Sequence, residues 1–233
     1  SDLMSTAHDI VTLGKYMYDH YENQVTRITT MQVYNDTKKD FTHYNTNPLL
    51  VSVPGVDGIK TGYTDNAGYC LAFSMMVPKD AKNERNHRLI GVVLGDGNKK
   101  NRISSSATLL KYGKDNFHSK KIAHKGDIIE TPCVDGIDDF KITVKVDKDL
   151  YGVVSDNENI NPKVVFKNMN YPIHKGDIVG VAKYYNDSGK FVGSVDVKSE
   201  SNIGCIPLKD KIKIKVAKIN KKLEIKNSVC FKA

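Results

Sequence analysis

No apolar run in this 233-residue chain is long enough to cross a bilayer, and Ser1-Asp2-Leu3-Met4 carries no leader-like pattern. The chain does not open on Met, so a processed or truncated product is expected. The four cysteines, Cys70, Cys133, Cys205 and Cys230, form no C-x-x-C pair, and no His stands at zinc-ligand spacing. No metal site and no cofactor are expected. Cys70 sits in an apolar stretch and reads as a small core residue. There is no nucleic-acid motif and no basic patch interleaved with aromatics.

What is present suits a folded protein: 39% apolar and 27% charged residues. The net charge of +8 is unevenly placed. Ile206 to Ala233 holds nine Lys against one Asp and one Glu, leaving the remainder near neutral. A basic domain for nucleic acid is therefore excluded. A Lys-rich tail facing an anionic membrane or cell wall is not.

Residues 5 to 21 read as a helix opened by a Thr6/Asp9 capping box, with Ile10, Leu13, Met17 and Tyr21 on one face. Ile28 to Tyr34 has strand composition, and Asn45-Thr46-Asn47-Pro48 and Pro54-Gly55 read as turns. Three strands follow, Gly58 to Tyr63, Tyr69 to Met76 and His87 to Leu94, joined by loops short enough for an antiparallel meander. After the turn Gly95-Asp96-Gly97-Asn98, a helix from about Arg102 to Phe117 turns Ile103, Ala107, Leu110 and Phe117 inward. This is an α+β layer arrangement.

From Ser119 to about Pro207 the pattern changes to short β-branched runs: Ile142 to Val146, Tyr151 to Val154, Lys163 to Phe166, Ile178 to Tyr184 and Phe191 to Val197. They imply a second, all-β domain, a small sandwich. Ile122 to Ile129 echoes Ile173 to Val179 through a shared His-Lys-Gly-Asp. A recurring strand-turn-strand is the plain reading, and a His/Asp metal site the sharper one. The alternating Lys211-Ile212-Lys213-Ile214-Lys215-Val216 reads as a strand with one apolar face, its lysines guarding an edge or attracting a surface.

The stretch with chemistry is Val56 to Tyr69, centred on Lys60-Thr61-Gly62. The ammonium supplies charge, the hydroxyl a directional hydrogen bond, and Gly room for a ligand's backbone. A phosphate loop is excluded. Ile59 stands where that motif needs Gly directly before Lys, and a strand hairpin follows instead of a helix. Ser155-Asp156-Asn157 reads as turn chemistry.

Val56-Asp57-Gly58-Ile59-Lys60-Thr61-Gly62-Tyr63-Thr64-Asp65-Asn66-Ala67-Gly68-Tyr69 resembles the V-D-G-[IL]-K-T-G-[HY]-T-x-x-A-G-Y signature of the D-alanyl-D-alanine carboxypeptidases, the low-molecular-mass penicillin-binding proteins. Ser5 to Ile10 resembles that family's S-[ST]-A-x-D-[ML] helix start. The resemblance implies a β-lactamase/transpeptidase-like fold, an antiparallel sheet with packed helices, over residues 1–118. A β-rich second domain would span 119–207 and a Lys-rich tail 208–233. It implies an exported serine hydrolase at the outer face of the bacterial cytoplasmic membrane or in the cell wall. Such an enzyme removes the terminal D-alanine from peptidoglycan pentapeptides through an acyl-enzyme that β-lactams trap.

In that reading Lys60 serves the proton network, Thr61 binds the substrate's terminal carboxylate, and Gly62 lets it approach. The N–H of Tyr63 donates to the oxyanion. Arg102, opening the last helix, grips the carboxylate. The family's S-x-x-K, however, occurs nowhere in the chain. With S-x-N it precedes the first helix in the family, so the chain is expected to be a C-terminal portion, inactive alone. Two alternatives stand beside this: a non-enzymatic envelope- or peptidoglycan-binding module, and a β-lactamase or endopeptidase of the same fold.

Overall fold

The structure, a computed structural model, describes residues 4–134, 137–167, 172–204 and 216. It divides into two compact units, Ser1–Lys120 with Val153–Asp156, and Lys121–Gly152 with Asn157–Ala233.

The first unit opens with α1 (Ala7–Thr29). Thr6 caps it, its hydroxyl accepting from the N–H of Asp9 while the Asp9 carboxylate accepts from the N–H of Thr6. The helix runs eight residues past the expected end, through a kink at Tyr21 (φ −137°, ψ 29°). Ile28 therefore lies in the helix, and strand β1 (Val33–Asp36) starts later than its composition suggests. It pairs with β2 (Phe41–Tyr44) in a largely exposed hairpin.

The buried face of α1 is also not the expected one. Gly14, Tyr18 and Val25 face inward, whereas Leu13 and Tyr21 are 55% and 51% exposed. The reason is polar. The Tyr18 hydroxyl finds partners beneath the helix, and Gly14 lets the helix approach Ile59 and Ile90.

After a single turn, α2 (Leu49–Ser52), come β3 (Val56–Thr64), β4 (Gly68–Val77) and β5 (His87–Asp96). They form the expected antiparallel meander, in the order β3-β4-β5. Alternation along β4 sends Leu71, Phe73, Met75 and Val77 into a core shared with Leu49, Val56 and Leu110. Ser74 points instead toward α1. Helix α3 (Lys99–Asn116) supplies Leu110 and covers β4 and β5. It begins three residues before Arg102 because Asn98 caps it, and Phe117 ends it rather than extending its inner face.

Strand β6 (Phe117–Ala123) leads into the second unit, followed by β7 (Ile128–Val134), β8 (Ile137–Val146), β9 (Leu150–Ser155), β10 (Ile160–Phe166), β11 (Ile178–Asn186) and β12 (Phe191–Ser199). An antiparallel five-stranded sheet, β10-β11-β12-β8-β7, carries the core of this unit, and β6 pairs with β9. Ile142, Val144, Val146, Ala182, Val195 and Val197 fill that core, joined by Ala123.

The echoed His-Lys-Gly-Asp stretches are two copies of one turn. In each, the Asp side chain accepts from the His N–H, Asp127 from His124 at 2.7 Å and Asp177 from His174 at 2.8 Å. In each, Gly takes a positive φ, 100° at Gly126 and 95° at Gly176, and its N–H reaches a strand end, Val146 or Ser199. The carboxylates are spent on backbone donors, as the plain reading requires. The stretch Lys211 to Lys215, and with it the tail strand, lies outside the described residues.

Candidate active site

Strand β3 is an edge of its sheet among the described residues, and Lys60-Thr61-Gly62-Tyr63 lies along it, opposite Ala72, Leu71, Cys70 and Tyr69. Lys60 is exposed, and its ammonium curls back to donate to the Thr61 carbonyl at 2.6 Å. Thr61 is buried, with its hydroxyl 2.5 Å from that of Thr46. A Cβ on Gly62 would meet nothing nearer than the Cys70 Cβ at 3.7 Å, so packing within this unit does not demand glycine there. The Tyr63 ring is half exposed and lies against Tyr69, centroids 4.4 Å apart. Its hydroxyl donates to Asp65 at 2.8 Å, and that bond holds the phenol above its ordinary pKa.

Arg102 is not a surface residue. It is 7% exposed, in the first turn of α3, with its guanidinium carbon 5.8 Å from the centroid of the Tyr69 ring. It makes no ion pair among the described residues, and its Nε has no hydrogen-bond partner there. A guanidinium without a counter-ion keeps its fork of donors free for an anion, and a carboxylate can take two of them side by side. Tyr69 thus links the two sequence-predicted elements, touching Tyr63 on one side and Arg102 on the other.

Ser155-Asp156-Asn157 takes no part in this arrangement. The Asp156 carboxylate accepts from Lys120 at 2.7 Å and lies 3.0 Å from the buried His118, and the Lys120 contact holds its pKa low.

Two supporting groups escaped sequence reasoning. The first is a polar network around Asp57, three residues before Lys60. Arg88 Nη1 grips both Asp57 oxygens, at 2.8 and 2.6 Å, and its Nη2 holds Glu22 at 2.8 Å. The guanidinium lies 3.7 Å over the Tyr18 ring, and the Ser74 hydroxyl sits between Tyr18 and Asp57. Burial pushes the Tyr18 phenol up. Thr29 adds a bond to the Asp57 carbonyl. The network ties α1 to all three strands just ahead of the Lys60 segment.

The second is Asn45-Thr46-Asn47, read from sequence only as a turn. Asn45 Nδ2 donates to the carbonyls of Thr29 and Met31, and the buried Asn47 donates to the Gly58 carbonyl at 3.0 Å. The overlooked signal was two Asn flanking a Thr, each able to fix backbone at a distance.

Residues 1–98 match the family model described as D-alanyl-D-alanine carboxypeptidase, and residues 117–204 match that of penicillin-binding protein 5, C-terminal domain. Over these two stretches the chain is similar to the D-alanyl-D-alanine carboxypeptidase family. It is 28% identical over 210 residues to the D-alanyl-D-alanine carboxypeptidase DacA of Haemophilus influenzae, covering 86% of this chain and 50% of that protein. It is 28% identical over 183 residues to DacF of Bacillus subtilis, covering 76% and 45%. The solved penicillin binding protein 5 from Haemophilus influenzae aligns with a TM-score of 0.58 at 27% identity, over 86% of this chain and 57% of that one. The D-alanyl-D-alanine carboxypeptidase DacD from Francisella tularensis shares the fold at 23% identity and a TM-score of 0.53. The chain spans about half the length of the curated relatives it matches.

Proposed function

We propose that residues 1–118 form one wall of the active site of a serine-type D-alanyl-D-alanine carboxypeptidase acting on peptidoglycan stem peptides. The nucleophile lies outside these 233 residues, since S-x-x-K does not occur in them. Residues 119–207 are then the β-rich second domain and 208–233 a basic tail facing the membrane surface, at the outside of the cytoplasmic membrane. The observation that carries this reading is the buried, uncompensated Arg102 beside the Tyr69–Tyr63 pair at the end of the Lys60-Thr61-Gly62 strand.

In this reading the substrate's terminal carboxylate lies between the Arg102 guanidinium and the Thr61 hydroxyl. Its peptide runs along the free edge of β3, over Gly62. The scissile carbonyl receives the Tyr63 N–H, one of two oxyanion donors, worth about 3 kcal/mol to the transition state. Lys60 holds positive potential where the serine's proton is shuttled. Attack on the carbonyl expels D-alanine, and water hydrolyses the ester. A β-lactam follows the same first step and stops there.

The test uses the chain itself. An N-acylated D-alanyl-D-alanine peptide titrated into the 15N-labelled protein should shift the amides of Lys60 to Tyr63 and the first turn of α3. Arg102→Met should weaken binding about ten- to a hundredfold, the loss of a charge-assisted hydrogen-bonded pair. Labelled penicillin should form no covalent adduct with this chain. Peptide shifts confined to residues 121–204, or a covalent adduct, would overturn the assignment.

A further inference from the structure

We infer that Thr46 is a positioning residue for this site: its hydroxyl sets the rotamer and the proton direction of the Thr61 hydroxyl. The inference rests on the role proposed for Thr61 above.

The two hydroxyl oxygens are 2.5 Å apart, close enough to fix each other. Threonine hydroxyls otherwise rotate to suit whatever acceptor is nearest. Thr61 has one proton. When a carboxylate takes it, the bond between the two hydroxyls survives only if Thr46 donates. The arrangement is then a relay, Thr46 O–H to Thr61 O–H to carboxylate, in which each bond polarises the next. A Thr61 hydroxyl accepting from Thr46 is also held away from the alternative of bonding a nearby carbonyl.

What makes Thr46 able to do this is the clamp on either side of it. Asn45 is tied at both ends, its N–H to the Gln32 carbonyl at 2.9 Å and its Nδ2 to the Thr29 and Met31 carbonyls at 3.1 and 3.0 Å. Asn47 accepts from the N–H of the fully buried Leu49 and donates to the Gly58 carbonyl on β3. The Asn47 N–H returns to the Asn45 side chain at 2.9 Å. The segment is thus fastened to α1, to the core and to the same strand that carries Thr61. Thr46 itself is exposed, so packing does not account for a hydroxyl at this position.

Thr46→Val removes the hydroxyl and keeps the shape; Thr46→Ser restores it. In the wild-type chain, three-bond couplings of Thr61 should report a single χ1 rotamer. In Thr46→Val they should report averaging, and in Thr46→Ser a return to one. With the N-acylated D-alanyl-D-alanine probe, Thr46→Val should weaken binding about five- to tenfold, a single hydrogen bond's worth. It should leave unchanged the binding of the matching D-alaninamide, which lacks the carboxylate. Equal melting temperatures for the three proteins exclude a folding defect. A single Thr61 rotamer in Thr46→Val overturns the inference whatever the ligand does. Averaged couplings with no peptide shifts in the wild type would leave the positioning intact and retire the carboxylate role of Thr61.

Discussion

His87, at the start of β5, is 8% exposed. Burial pushes its pKa below 6.5 and His118 adds to that, while the Arg85 backbone and Asp80 oppose it. In the unfolded chain the imidazole takes a proton near pH 6.5; in the folded chain it takes one only at lower pH. The stabilisation is therefore complete above pH 6.5 and is lost as the pH falls through the folded value. Urea midpoints of the first unit should drop between pH 7 and pH 5, and His87→Leu should flatten that limb. Carboxylates such as Asp80, with a depressed pKa, lose their contribution only at more acid pH, so the two limbs separate. An unchanged slope in His87→Leu would assign the pH dependence elsewhere.

At the scale of one strand, two glycines four residues apart on either side of Lys60 answer to different demands. A Cβ on Gly58 would sit 2.7 Å from the Tyr18 hydroxyl and 3.0 Å from Thr29 Oγ1. Tyr18 cannot swing away without leaving Ser74 and the Arg88 guanidinium. Gly58→Ala should thus cost about 1–3 kcal/mol of stability by overpacking. Gly62→Ala meets only ordinary contact, so its stability in urea should stay within about 0.5 kcal/mol of wild type. It should instead weaken peptide binding, because the new methyl stands where the ligand's backbone approaches. Equal losses of stability for both variants would sink the distinction.

The same strand marks how far sequence reasoning reaches. β3, β4 and β5 were legible because β-branched runs and short polar loops force a meander whatever surrounds it. The Lys60 segment was legible because its flanks match a family signature. The inner face of α1 was not, since Tyr18 is buried by hydrogen bonds to β3 and β4, which no helical periodicity encodes. The burial of Arg102 and the reach of Thr46 to Thr61 likewise depend on contacts far apart in the chain.

Over the whole molecule, the two units have separate hydrophobic cores, one around Phe73 and Leu71, the other around Val144 and Val197. Each also has its own polar fastening: the Asp57–Arg88 network in the first, the twin Gly turns in the second. Arg88→Met strips a part-buried carboxylate of its partner and should cost the first unit about 3 kcal/mol. Gly176→Ala forces a side chain to φ 95° and should cost the second unit about 1–2 kcal/mol. If each core folds on its own account, the two losses stay local. Hydrogen exchange read on peptides should show Arg88→Met loosening β3 to β5 while β8, β11 and β12 keep wild-type protection, and Gly176→Ala doing the reverse. Variants that loosen both sheets together would mean one cooperative unit, and the separate cores would then be two halves of a single folding transition.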